Sequence, residues 1–193
     1  MTALARADLY SLETYAIERA AFRARVLAHK QARRLALGAH ATLLFEDRLT
    51  IQYQIQEMLR IERIFEPEAI QAELDAYNPL IPGGHDLKAT LLIEYADEAM
   101  RRRELARLGG IEHRFFAEVA GHARTFAHAD EDMDRSDDDK TAAVHFMRFD
   151  FAPAQIAALR AGTALRFGID DARMPVAMDV PEATRAALLR DFD

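Results

Sequence analysis

Six polar residues with exacting hydrogen-bond geometry, Glu46, Arg48, Tyr53, Gln56, Glu57 and Arg60, lie within a short stretch of apolar helix-forming positions. If the end of the short strand over 42–46 and the start of the helix that follows converge, two carboxylates and two guanidiniums with amides between them could bind a small anionic or amide-bearing ligand. The arginine fork would supply the bidentate contact. The alternative is an internal salt-bridge network tying helix to sheet, because structural ion pairs imitate sites. A binding site would leave part of the cluster open in a pocket, whereas a network would be closed.

Histidine offers a second chemistry, with His29, His40, His85, His113, His122, His128 and His145 present. Glu112, His113 and His145 are expected on strands. If those strands pair, they could offer nitrogen and oxygen ligands suited to iron, manganese or zinc. Neighbouring Glu112 and His113 would point to opposite faces of a regular strand, which weakens them as a pair. No His-x-x-x-His, Glu-x-x-His or His-x-His spacing supports them. The alternative is ordinary core or surface histidines. The acidic run Asp130 to Asp139 lacks the Asp-x-Asp-x-Asp-Gly pattern of a calcium loop and reads as a solvated connection. Ser11 and Ser136 are the only serines, and no Gly-x-Ser-x-Gly or glycine-rich phosphate loop occurs.

Composition narrows the classes further. A chain of 193 residues, half hydrophobic and 30% charged, suits one domain spanning 1–193. The absence of cysteine removes disulfides, thiolate catalysis and cysteine-held clusters. No apolar run reaches the roughly 20 residues of a membrane span, and the N-terminus lacks a signal peptide's apolar region, so a cytoplasmic protein is expected. A net charge of −7 argues against nucleic acid as a partner. The charge is polarised, however. Arg19, Arg23, Arg25, Lys30, Arg33 and Arg34 precede Phe45 with no acid among them, while Asp130 to Asp139 holds seven acids. Charge-driven protein partners are therefore expected.

The elements that must position these residues follow from periodicity. Leu12, Tyr15, Arg19, Phe22 and Val26 predict a helix from Ser11 to about Leu35, ended by Gly38 and carrying the basic set on its other face. A short strand over 42–46 precedes a helix over 49–65 with Ile51, Ile55, Met58 and Leu59 inward and Gln52, Gln56, Arg60 and Arg63 turned away or sideways. Pro67 starts a third helix that stops at Asn78-Pro79. Strands are expected over 87–95, 113–120, 123–128, 142–151, 163–170 and 176–180, with helices over 97–108, 153–161 and 181–189. The clearest strand is 142–151, with His145, Met147, Phe149 and Phe151 on one side. The sum is an α+β fold, N-terminal helices (1–82) packed on a mainly antiparallel sheet formed largely by the C-terminal half (83–193).

The runs Leu43-Leu44-Phe45-Glu46, Tyr53-Gln54-Ile55-Gln56-Glu57-Met58-Leu59-Arg60, Leu74 to Pro82 and Gly110-Ile111-Glu112-His113 resemble an uncharacterised bacterial family, domain of unknown function 3501. The resemblance covers nearly the whole chain. It implies a place beside a rubrerythrin-like di-iron protein and an Fe–S oxidoreductase, in a redox or oxidative-stress system, by gene neighbourhood alone. The family brings no catalytic residues and specifies no cofactor. Two readings follow. One is an accessory or binding protein docking through its basic first helix and its acidic loop; the other is a small-molecule enzyme or sensor using the Glu46 to Arg60 cluster, with or without a His/Glu-bound metal. Either is compatible with a homodimer.

Overall fold

The computed structural model describes residues 2–129 and 140–193. Ser11 opens helix α1 (Leu12–Gln31) by accepting the Thr14 amide at 3.2 Å, which satisfies one of the free N–H groups at a helix start. The helix stops at Gln31, earlier than the periodicity predicts. Strand β1 (Arg34–Leu37) takes over, alternating exposed and buried residues, and pairs antiparallel with β2 (Ala41–Phe45). Arg34-Leu35-Ala36-Leu37 fits either period, and pairing with β2 decides it. Gly38, at φ +68°, supplies the left-handed residue of the turn between the two strands rather than a helix stop.

Asp47 caps helix α2 (Arg48–Glu62) by accepting the amides of Leu49 and Thr50 at 3.0 and 2.9 Å, while the Thr50 hydroxyl accepts the Asp47 amide. This reciprocal pairing fixes where the helix begins. Helix α3 (Pro67–Tyr77) starts on its proline, where a missing N–H costs nothing. The chain continues through β3 (Asp86–Ile93), α4 (Glu98–Arg107), β4 (Phe115–Val119), β5 (Thr125–Phe126), β6 (His128–Ala129), β7 (Val144–Asp150), α5 (Pro153–Arg160), β8 (Leu165–Ile169), β9 (Val176–Asp179) and α6 (Glu182–Leu188). No helix among the described residues is long and apolar enough to cross a membrane.

The architecture is α+β as expected, but the strands form two antiparallel sheets, ordered β1-β2-β3-β7-β6 and β5-β4-β8-β9. Their apolar faces share one core. Phe167 of β8 lies 5.1 Å, ring centre to ring centre, from both Phe45 of β2 and Phe149 of β7. Gly168 lets the second sheet close up, because a Cβ there would fall 2.5 Å from the Phe116 ring and from the Val176 carbonyl.

The helices have cores of their own. Ile51, Ile55 and Leu59 of α2 pack with Leu74 of α3 and with Leu4, while Leu49 and Tyr53 pack against Tyr15, Phe22 and Val26 of α1. Helix α2 is thus shared between two apolar clusters, both distinct from the core between the sheets. Polar residues span the junction between the helices and the sheets.

Candidate functional site

The six candidate residues go to three different places. Glu46, just past β2, is buried. One carboxylate oxygen accepts the Thr50 hydroxyl at 2.6 Å and the other accepts the Thr90 hydroxyl of β3 at 2.8 Å. Arg48 turns to the N-terminal arm, reaching the Thr2 carbonyl at 3.2 Å and the Asp8 carboxylate at 2.8 Å. Tyr53 lies in the aromatic cluster of α1, its ring 6.0 Å from that of Phe22 and 6.0 Å from the Lys30 ammonium.

Glu57 is the centre of the third group. It accepts the Tyr15 hydroxyl at 2.7 Å, Arg19 through Nε at 2.7 Å and Nη2 at 2.8 Å, and Arg60 at 3.3 Å. The two-pronged Arg19 contact is the largest influence on its carboxyl group and, with Tyr15 and Arg60, holds it down to about 2 against the effect of burial. Burial and the Glu57 charge together push the Tyr15 phenol well above its ordinary range. Gln56 does not turn away from the protein as its helical position suggests. It is fully buried, accepting the Tyr10 amide at 2.6 Å and donating to the Tyr10 carbonyl at 3.4 Å. Its amide therefore acts as one more strand residue toward the arm. Asn78 does the same for Leu4, at 2.8 and 2.9 Å.

The most deeply buried arginine among the described residues belongs to the basic set expected on the outer face of the first helix. Arg33 follows the end of α1, and its guanidinium donates to the carbonyls of Phe45, Glu46 and Ala187 at 3.2, 3.1 and 3.2 Å and pairs with Asp191. Asp47 sits 3.5 Å from its Nε, and His29 lies 2.5 Å from the same Asp47 oxygen. This row of His29, Asp47, Arg33 and Asp191 joins the end of α1, the start of α2 and the C-terminal segment. Burial pushes the Asp191 carboxyl up to about 7, with Asp47 and Asp86 adding to the rise and Arg33 opposing it. Burial would raise Asp47 as well, but Arg33, the Thr50 amide and His29 together outweigh it and hold that carboxyl low. The Asp47-x-x-Thr50 capping pattern was the one local signal that a polar group anchors this junction.

Glu112, His113 and His145 are only partly brought together. Ile111–Arg114 is a single 3-10 turn instead of the start of a strand, entered through Gly110 at φ +75°. The turn buries Glu112 and leaves His113 exposed, 3.9 Å from the Glu112 carboxylate. The Thr141 hydroxyl donates to Glu112 at 2.8 Å and lies 2.8 Å from Nε2 of the fully buried His145 on β7. Since the single Thr141 proton goes to Glu112, His145 Nε2 must carry its own proton, shared with Thr141 and with the Ala142 carbonyl at 3.0 Å. Among the described residues, no group of three or more metal-ligating side chains is close enough to hold an ion.

The family model for proteins of unknown function, DUF3501, matches residues 3–192. The chain belongs to that family. It is similar over its full length to the crystal structure of a novel protein of unknown function from Burkholderia pseudomallei K96243, at 50% identity, a TM-score of 0.94 and full coverage of both chains. No curated protein matches it.

In this DUF3501 chain one cleft among the described residues lies apart from the polar network. A cleft of about 420 Å³ lies between the N-terminal arm and the α2–α3 turn, lined by Leu9, Leu12, Leu59, Ile64, Phe65 and Ile70 with Arg6 and Glu13 among its polar residues. None of the six candidates lines it. The acidic run Asp130 to Asp139 lies outside the described residues.

Proposed function

We propose that this chain is a binding protein of a bacterial redox or oxidative-stress system, docking an acidic partner through the basic residues of α1 and β1. The observation that carries the reading is a division of labour among charges. Arg19 and Arg33 are committed inside the protein, to Glu57 and to Asp47 and Asp191. Arg23, Arg25, Lys30 and Arg34 of the same basic run form no ion pair among the described residues. Fixed cations without internal acids raise the encounter rate with an acidic surface and select for it. The redox setting comes from the family's gene neighbourhood, a rubrerythrin-like di-iron protein and an Fe–S oxidoreductase. On this reading Glu46, Arg48, Tyr53, Gln56, Glu57 and Arg60 hold the helices in place and take no ligand.

Charge reversal tests this directly. Arg23→Glu/Arg34→Glu should leave the circular-dichroism spectrum unchanged and weaken binding to the neighbouring di-iron protein. Undiminished binding by the folded variant would overturn the assignment of the surface.

A second reading, a metal or ligand site, is favoured by one arrangement, the meeting of Glu112 and His145 on the Thr141 hydroxyl. Iron, manganese and zinc analysis of untagged protein, repeated on His145→Ala, decides it. Near-stoichiometric metal lost in the variant would favour a metalloprotein over the docking reading.

A further inference from the structure

The cleft beside the N-terminal arm is apolar inside and charged outside. Leu9 and Leu12 line it from the arm and the start of α1, Ile64 and Ile70 from the α2–α3 turn and α3, and the buried Leu59 from α2. Its exposed lining residues are Arg6, Ser11, Glu13 and Phe65. Phe65, at 66%, is the most exposed aromatic side chain among the described residues. A ring left open on the rim of an apolar cleft is surface that a ligand would cover.

The walls of the cleft are held in place by the chain itself. Leu9 is fixed from both sides, because Gln52 donates to the Asp8 carbonyl at 2.6 Å and Gln56 holds the Tyr10 amide and carbonyl. The facing wall is set by Arg63, which ends α2 at φ +56°, in the left-handed region that glycine usually fills. Its amide and that of Ile64 both donate to the Leu59 carbonyl, and this turn brings Ile64 and Phe65 to the cleft. Apolar walls fixed in advance suit a small molecule, since little order is lost on binding.

One charge at the cleft is free. Arg6 has no ion pair or side-chain hydrogen bond among the described residues. The acid nearest to it in sequence, Asp8, pairs with Arg48 at 2.8 Å. Glu13 is engaged: its own backbone N–H, with Ser11 adding, holds its carboxyl below the ordinary value. An open guanidinium beside aliphatic walls fits a carboxylate carried on an aliphatic chain, which the two arms of its fork can grip together. Size sets the length of that chain. A cavity of about 150 Å³ takes benzene, so one of about 420 Å³ takes about 15 non-hydrogen atoms, and a cleft open on one side takes fewer.

We propose that this cleft binds a free medium-chain carboxylic acid of about 8–10 carbons, its tail against Leu9, Leu12, Ile64 and Ile70 and its head group on Arg6. The site goes beyond the docking reading and does not rest on it.

Amide NMR titration of the full chain with decanoate, kept below micelle-forming concentrations, tests the proposal. The resonances of Leu9, Leu12, Ile64 and Ile70 should move together with a Kd of about 100 µM. Decylammonium should bind at least about tenfold more weakly, although the net charge of −7 favours the cation. Arg6→Gln and Phe65→Glu, both at exposed positions, should stay folded by circular dichroism and bind decanoate about tenfold more weakly. No shift at these four amides up to about 1 mM decanoate, decylammonium binding as tight as decanoate, or an affinity that both variants leave unchanged would each overturn the proposal. Arg23→Glu/Arg34→Glu should bind decanoate as the wild type does, so this result is read separately from the docking test.

Discussion

Arg33 and Asp191 stand 158 positions apart in the chain and pair with only 2% and 1% of their side-chain surface exposed. The contact joins the end of α1 to the last residues of the chain at the junction where Asp47 caps α2. The helical clusters and the core between the sheets are separate, so this junction is held by geometry-demanding polar pairs in place of a continuous apolar core.

Removing one partner of this pair should therefore cost more than removing both. Arg33→Ala leaves Asp191 and Asp47 buried without their cation and is expected to destabilise the protein by about 3–5 kcal/mol. Arg33→Met/Asp191→Leu should cost less, because it leaves no carboxyl at 191 without its partner, although Asp47 and the carbonyls of Phe45, Glu46 and Ala187 lose their donor in both variants. Urea unfolding of the three proteins measures the difference, and equal losses in both variants would contradict a coupled pair.

The same junction predicts an unusual pH profile. Asp191 has its folded value raised to about 7 from an ordinary 3.8. The folded protein then keeps a proton that the unfolded chain has released, so this group's contribution is present in acid and is lost as pH rises from about 4 through 7. Glu57 has the opposite sign. Its folded value of about 2 lies below the ordinary 4.5, so its contribution is present above 4.5 and is lost as pH falls toward 2. Stability measured by urea unfolding should therefore rise from strong acid to mild acid and then decline toward neutrality. Asp191→Asn should flatten the decline, and Glu57→Gln the acid side.

Gln56 predicts a local effect. Its amide satisfies both the N–H and the carbonyl of Tyr10, so Gln56→Ala should free the N-terminal arm and cost about 1–3 kcal/mol. Amide hydrogen exchange at Tyr10 should speed up in the variant, while exchange in β3 and β7 stays slow. Unchanged protection at Tyr10 would mean the arm is held from elsewhere.

These relationships show how far a sequence can be read. The strand over 142–151 was legible because its alternation is local: His145, Met147 and Phe149 are buried and their neighbours on β7 are not. Tyr15, Phe22 and Val26 were legible for the same reason, at helical period. The split into two sheets and the start of β1 were not, since a four-residue run satisfies both periods until a partner strand is known. Gln56 and Arg33 were misplaced because their partners, Tyr10 and Asp191, are distant in sequence and no local pattern announces a long-range hydrogen bond. Of the six residues from Glu46 to Arg60, Glu46 and Gln56 are buried, while Arg60 is exposed. Their division into three groups depends on how α1, the N-terminal arm and β3 come together.

The docking account is tested most directly by calorimetric titration of the purified chain with a purified rubrerythrin-like di-iron protein, the partner that the proposal names, at about 20 mM and again at about 500 mM salt. The account predicts binding at low salt that weakens sharply at high salt, as screening removes attraction to Arg23, Lys30 and Arg34. No binding at low salt, or binding indifferent to salt, would contradict it.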